Sequence, residues 1–183
     1  MTAAFDILRY LKHTKAYGIS YTYGPSNLIR YCDADYANNL NIRKSTLAYI
    51  FLLAGGPINW LSKTQSQIAQ STMEAEYTAL NHTGREAVWL HNLSWEINIF
   101  PMAPIVPIHT NNASAMALAN NPVFHARTKH IAIEGHWIQE IVNDKLIRIV
   151  QVPTAQNVAN ILTKPLSLQL HYQQLNLLNF KPF

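Results

Sequence analysis

Cysteine, charge and long apolar runs are all scarce in this sequence. Cys32 is the only cysteine among 183 residues, so the chain can form no internal disulfide and no zinc site built on several cysteines. Charged residues make up 13%, whereas soluble domains carry about 25%, which indicates that part of the surface is covered by a partner. No N-terminal apolar run is long enough for a signal peptide or a membrane span, so we expect an intracellular protein that does not enter a membrane.

What is present favours one ordinary domain with a basic surface. Hydrophobic residues make up 49%, enough for a sizeable core, and the length fits a single domain with short extensions. The net charge is +4, and a positive balance favours a polyanionic partner such as nucleic acid. Many basic proteins bind no polyanion, so the charge alone leaves a plain solvated surface open.

Residue patterns predict strands that alternate with helices, and therefore an α/β fold. Strands are predicted at Leu28–Asp35, Leu47–Leu53, Ile58–Ser62, Ile105–Asn111 and Leu146–Val152. Helices are predicted at Ala3–His13, Ser71–Ile97, Ala113–Asn120, Ile131–Asn143 and Val158–Leu162. Gly55-Gly56-Pro57 predicts the turn of a hairpin, and Pro107 predicts that pairing of its strand begins only after it. In the fourth helix, Ile133, Trp137 and Ile141 are predicted to share the apolar side.

Two carboxylates occur where a fold does not ordinarily place them. Ser71 and Glu74 form a capping box, and in the helix that follows Glu76 lies on the same stripe as Met73 and Leu80, facing the sheet. Asp33 ends an apolar strand and shares a face with its alternation partners. Carboxylates are rarely buried unless paired or metal-bound, and a strand carboxylate and a helix carboxylate aimed at one point would make a magnesium site. The alternatives are a boundary glutamate that reaches solvent and a polar strand end.

Several sequence blocks occur in an order that identifies a family. They are YCDADYANN, RKST, MEAEY, HTNNASAMALANNPVFHARTKHI and NVANILTKPL. From about Ala3 to Leu166 the chain resembles the ribonuclease H domain of copia-type retrotransposon polyproteins. The resemblance implies an α/β, ribonuclease H-like fold, a five-stranded mixed sheet flanked by helices. It further implies that residues 1–25 are the C-terminal remnant of a reverse transcriptase connection, residues 26–166 the ribonuclease H-like domain and residues 167–183 a C-terminal tail.

The same resemblance implies a reaction, the Mg²⁺-dependent hydrolysis of RNA in RNA–DNA hybrids. In this family two magnesium ions are held by four carboxylates, whose positions match Asp33, Glu76, Asn111 and Asn160. Asp33 and Glu76 are therefore the expected metal ligands, and all four positions are the expected catalytic site. An amide is a neutral and weaker ligand for a hard cation, so the site carries about −2 where the two metals require about −4. We expect weak Mg²⁺ binding.

A basic rim is the expected contact surface for the hybrid. Its candidate residues lie in or beside the family blocks: Arg43, Lys44, Lys63, Arg127 and Lys129. Nearby hydroxyls such as Ser45 and Thr64 suit phosphate contacts without base reading, although a solvated surface would have the same composition. The expected partners are an RNA–DNA hybrid and the reverse transcriptase portion of the same polyprotein, in a cytoplasmic virus-like particle or the nucleus.

Three interpretations of function remain at this point. The chain is an active ribonuclease H, an impaired or inactive copy that still binds the hybrid, or a purely structural or interaction module. Intact Asp33 and Glu76 favour the first, whereas Asn111 and Asn160 favour the second. The low charge content favours the third.

Overall fold

The centre of the molecule is a five-stranded mixed sheet, which confirms the predicted architecture. The computed structural model describes residues 2–22, 28–39, 41–98, 105–120 and 132–183. The strands of the sheet are β2 (Ile29–Asp35), β3 (Thr46–Leu53), β4 (Gly56–Thr64), β5 (Val106–Thr110) and β6 (Ile147–Gln151), in the order β4-β3-β2-β5-β6. The β2–β3 and β3–β4 pairs are antiparallel, whereas β5 runs parallel to both β2 and β6.

The β3–β4 hairpin turns one residue earlier than the glycines suggested. Ala54 and Gly55 form the turn, with φ of 54° and 80°, and two successive left-handed residues are typical of a tight turn matched to strand twist. Gly56 and Pro57 already belong to β4, where they pair with Leu53 and Leu52 beside a register shift. That irregularity accommodates a proline within a strand.

The expectation that pairing begins after Pro107 was wrong. Val106 pairs with Ile147 and Pro107 with Arg148 in the parallel β5–β6 ladder. The Val106 amide donates to the Leu146 carbonyl on the β6 side. In a parallel ladder neighbouring residues bond to opposite sides, so the Pro107 nitrogen points toward β2. On that side of β5, Tyr31 of β2 pairs with His109. Because the N–H that proline lacks would point toward β2, the β5–β6 ladder loses no hydrogen bond.

Helices pack on the sheet mainly through α2 (Thr72–Glu96), whose Tyr77 and Leu80 are buried in the main core. Against it lie α3 (Ala113–Asn120), which matches its predicted bounds, and α4 (Ala132–Asn143). The predicted apolar side of α4 is confirmed in part, because Ile141 is buried and Trp137 packs against the core, but Ile138 between them is also fully buried. The side chain of Ile133 lies outside the described residues. A Cβ on Gly84 would come within 2.7 Å of Ile138 Cδ1, so a glycine lets α2 and α4 approach closely.

The opposite face of the sheet is covered by two 3₁₀ segments, Thr154–Gln156 and Val158–Leu162, and by α5 (Leu168–Leu177). Val158 and Leu178 pack there on Ile50 and Leu52 of β3. A second, two-stranded sheet pairs β1 (Tyr17–Ile19) with β7 (Phe180–Pro182), and α1 (Thr2–Thr14) precedes β1. The segment 167–183, predicted only as a tail, therefore carries a helix and a strand. Across the described ranges, no helix is both long and apolar enough to cross a membrane.

Candidate active site

Asp33 on β2 and Glu76 on α2 are both buried and lie near each other. Asp33 is 0% exposed and Glu76 is 5% exposed. Asp33 shares its face of β2 with Ile29 and Tyr31, which pack toward the second 3₁₀ segment. Glu76 reaches the β2 backbone from the helix side, where its Oε2 accepts a hydrogen bond from the Ala34 amide at 3.1 Å. The Asp33 and Glu76 carboxylates thus both lie against β2.

A lysine supplies the charge partner of Asp33. Lys164 Nζ lies 3.1 Å from Asp33 Oδ2 and 3.4 Å from Oδ1, and the Thr163 hydroxyl also donates to Oδ2. Burial raises the pKa of Asp33, while the Lys164 charge and the Thr163 hydrogen bond act in the opposite direction. The carboxylate is therefore enclosed by an ammonium and a hydroxyl, both from the residues that directly follow the second 3₁₀ segment.

Among the described residues, no cation forms an ion pair with Glu76. Burial, and then repulsion from Asp33, raise the pKa of Glu76 to about 8, although the Lys164 charge and hydrogen bonds from Ala34 and Asn112 oppose the rise. The side chain is consequently largely protonated at neutral pH.

Asn111 and Asn160 are joined through the loop between β6 and the second 3₁₀ segment. Asn111 Nδ2 donates to Thr154 Oγ1 at 3.3 Å, and Asn160 Nδ2 donates to the Thr154 carbonyl at 2.7 Å. Asn157 connects this group to β2, since its Nδ2 donates to Asn111 Oδ1 at 3.1 Å and to the Cys32 carbonyl at 2.8 Å. Asn160 Oδ1 is buried and accepts no hydrogen bond from the part of the chain that the structure describes. All four matched positions are therefore connected to β2. Asp33 lies on the strand and Glu76 bonds to its backbone, whereas Asn111 and Asn160 are connected to it through Thr154 and Asn157.

Known proteins share both the fold and the sequence. LC11-RNase H1, solved in complex with an RNA/DNA hybrid, superimposes with a TM-score of 0.52 at 17% identity, over 75% of this chain and 94% of that one. The retrovirus-related Pol polyprotein from transposon RE1 of Arabidopsis thaliana is 42% identical over 162 residues, or 88% of this chain. The corresponding polyprotein from transposon TNT 1-94 of Nicotiana tabacum is 39% identical over 158 residues, or 86%.

This chain is a ribonuclease H-like domain of the retrotransposon Pol polyprotein family. The predicted resemblance is confirmed at that level, although no family model matches the chain. The domain spans only 11% of the RE1 polyprotein and 12% of the TNT 1-94 polyprotein.

The side chains of this ribonuclease H-like domain do not fit the two-metal site that its fold family implies. Two Mg²⁺ ions need several anionic oxygens, yet Asp33 is paired with Lys164 and the third and fourth positions are the neutral amides Asn111 and Asn160. Asn111 Oδ1 already accepts a hydrogen bond, which leaves Asn160 Oδ1 as a neutral oxygen without a partner. Within the described residues, no group of three or more His, Cys, Asp or Glu side chains is placed to hold a metal.

The basic rim of the domain is described only in part. Arg43 and Lys63 are exposed, whereas Lys44 is half-buried and its Nζ donates to the Ser66 carbonyl at 2.6 Å. Arg127 and Lys129 lie outside the described residues. Ser45 was wrongly grouped with phosphate-facing hydroxyls, because it is fully buried and its Oγ accepts from the Ala37 amide.

The residue that sequence reasoning missed is Lys164, together with its neighbour Thr163. Both stand in the NVANILTKPL block, four and three residues after Asn160. Their proximity to one of the matched site positions was the available signal. Asn157 was also missed, because the prediction from sequence covered only the four carboxylate positions of the family.

Proposed function

We propose that this ribonuclease H-like domain binds RNA–DNA hybrids but hydrolyses their RNA strand poorly or not at all. The observation that carries the proposal is the amide network at the third and fourth carboxylate positions, where Asn111 and Asn160 donate to Thr154. A carboxylate cannot donate in that way, so these positions are hydrogen-bonded as amides. Hybrid binding draws support from the exposed Arg43 and Lys63, from the net charge of +4 and from the hybrid bound to LC11-RNase H1.

The experiment is Mg²⁺-dependent release of RNA from a labelled RNA–DNA hybrid. We expect little or no cleavage by the unmodified chain and measurable cleavage by the double variant Asn111→Asp/Asn160→Asp. Each single change should do much less, because two metals act as one clamp and residues that act as a unit are not additive. Robust cleavage by the unmodified chain would overturn the proposed impairment. A folded double variant that neither binds Mg²⁺ nor cleaves would overturn the assignment of these two positions.

The partner within the polyprotein is proposed to be the reverse transcriptase portion. The observation that supports it is α1, on which Phe5, Ile7, Leu8 and Leu11 are each more than half exposed. A stripe of large apolar side chains of this kind is typical of a contact with another protein surface. The proposed location, a cytoplasmic virus-like particle or the nucleus, follows from that polyprotein context.

A second candidate function is that of a purely structural or interaction module. Trp89 and Trp95 on α2 support it, because they are 54% and 76% exposed and tryptophan is enriched at protein interfaces. Salt-dependent binding of an RNA–DNA hybrid separates the two candidates. A domain that binds the hybrid should lose affinity for it as salt screens the phosphate contacts, whereas an interaction module should show no such salt-dependent binding.

A further inference from the structure

The buried charge of the site is balanced from within the chain. Asp33 is 0% exposed, and the Lys164 side chain, 29% exposed, reaches it at 3.1 Å while keeping some contact with solvent. An isolated buried carboxylate is very costly, and a hydrogen-bonded ion pair removes most of that cost. Asp33 also accepts from Thr163, so its oxygens are satisfied by groups of the protein alone.

The amide at position 160 helps to hold this arrangement. Asn160 Nδ2 is bonded to the Thr154 carbonyl at 2.7 Å, which ties the two 3₁₀ segments together. The backbone carbonyl of Asn160 accepts from the Thr163 amide at 3.2 Å and from the Lys164 amide at 3.3 Å. The turn that carries Thr163 and Lys164 to Asp33 therefore starts at Asn160.

We propose that the Lys164 ammonium is the resident counter-ion of the Asp33–Glu76 carboxylate pair, so that the folded domain is complete without a divalent metal. This inference deepens the proposed function, since it concerns the same site. Its test measures stability instead of cleavage, and its failure is therefore distinguishable from failure of the proposed impairment. Lys164 acts as a positioning and neutralising residue.

The first arm of the test is a double-mutant cycle of thermal unfolding in metal-free buffer, on the full chain. The variants are Lys164→Met, Asp33→Asn and both together, with Lys12→Met on the exposed surface of α1 as the matched control. Removing one partner of a buried pair is strongly destabilising, so we expect Lys164→Met to lower Tm by roughly 5 °C or more. In the Asp33→Asn background the same change should cost much less, because the carboxylate that Lys164 contacts has already been removed. Equal losses in both backgrounds, or a loss no larger than that of Lys12→Met, would overturn the proposal.

The second arm repeats these measurements with millimolar Mg²⁺. We expect no change in the Tm of the unmodified chain, because Lys164 already balances the carboxylates. In Lys164→Met the Asp33 carboxylate loses its ammonium partner, and Mg²⁺ should recover part of the lost stability by binding the folded state. The double variant should not respond. A clear rise in the Tm of the unmodified chain with Mg²⁺ would contradict a resident ammonium counter-ion, as would a Lys164→Met variant that Mg²⁺ does not affect.

Discussion

At the scale of single residues, two buried carboxylates have been given different environments. Asp33 has an ammonium at 3.1 Å and a hydroxyl donor. Glu76 has a backbone amide at 3.1 Å as its close donor, and burial raises the pKa of Glu76 to about 8. A carboxylate that lacks a close cation is more stable as the neutral acid when buried. The pair therefore carries less negative charge at neutral pH than two solvated carboxylates would.

This difference predicts how stability depends on pH. Between the ordinary pKa of a glutamate, 4.5, and the value of about 8 in the folded state, the folded chain holds a proton that the unfolded chain has released. Protonated Glu76 thus contributes to the free energy of unfolding at low pH, and this contribution is lost as pH rises through about 8. In metal-free buffer we expect the free energy of unfolding to fall by roughly 1 kcal/mol between pH 7 and pH 9.

The measurement is urea unfolding at several pH values, with Glu76→Gln as the comparison. That variant should show a flatter profile above pH 7. Burial lowers the pKa of His109, which reduces stability only at acid pH, but burial also raises the pKa of the Cys32 thiol, which adds to the loss near pH 9. The difference between the two profiles, and not the slope of the unmodified chain alone, therefore reports on Glu76. A profile that rises from pH 7 to pH 9 would contradict the assigned protonation of Glu76.

Asn157 is predicted to be a structural residue of the same site. It is fully buried, it donates to both the Cys32 carbonyl and Asn111 Oδ1, and its own oxygen accepts from the Ala159 amide at 3.2 Å. Asn157→Ala should lose roughly 2 kcal/mol of the free energy of unfolding, because it leaves buried groups without partners. Asn92→Ala, at an exposed position of α2, is the matched control and should be nearly neutral. Equal stability of the two variants in urea would show that the Asn157 network contributes little.

The site could be predicted from sequence only as far as its family positions. Asp33 and Glu76 stood out because each carboxylate occupies an apolar pattern, and the positions of Asn111 and Asn160 followed from the resemblance. For Lys164 the only signal was its closeness in sequence to Asn160, because a lysine beside a proline otherwise looks like an ordinary surface residue. Its contact with Asp33 spans 131 positions of the chain, and no local pattern encodes such a pairing.

At the scale of elements, local signals predicted the long segments better than the short ones. The capping box at Ser71 gave the start of α2, where the Ser71 hydroxyl accepts from the Glu74 amide at 3.2 Å. The three-residue strands β1 and β7 carry no alternation to detect, and they are formed by the pairing of Tyr17–Ile19 with Phe180–Pro182. The proposed boundaries at residues 25/26 and 166/167 remain a prediction, and this small sheet joins the two flanking segments to each other.

The C-terminal segment is predicted to stabilise the domain through Leu178. This side chain is 7% exposed and packs with Ile50, Leu52 and Val158. Leu178→Ala should lower the free energy of unfolding by roughly 2–3 kcal/mol, as expected for a buried leucine near the surface. Leu177→Ala is the matched control, because Leu177 is its direct neighbour and is 44% exposed. If chemical denaturation gives the same small loss for both, the segment 167–183 is not part of the stable core.

At the scale of the whole molecule, fold and charge point to different parts of the proposed function. The sheet and its helices reproduce a ribonuclease H-like scaffold, while the site on it has little net negative charge left to attract a metal. The chain as a whole carries +4. A surface of this sign attracts the phosphates of a nucleic acid whether or not the site can cleave them, so binding and cleavage can be separated by experiment.

The salt dependence of hybrid binding tests that separation. We expect the logarithm of the affinity for an RNA–DNA hybrid to fall linearly with the logarithm of the salt concentration, because each neutralised phosphate releases counter-ions. Arg43→Ala and Lys63→Ala should each weaken binding for hybrids of any sequence and reduce the slope by about 1. Lys44→Ala should have a smaller effect, since the ammonium of Lys44 is bonded to the Ser66 carbonyl. Lys181→Ala, at an exposed position outside the assigned rim, should leave the slope unchanged. A slope that none of the three rim substitutions alters would place the hybrid elsewhere, and binding without any salt dependence would favour the interaction module.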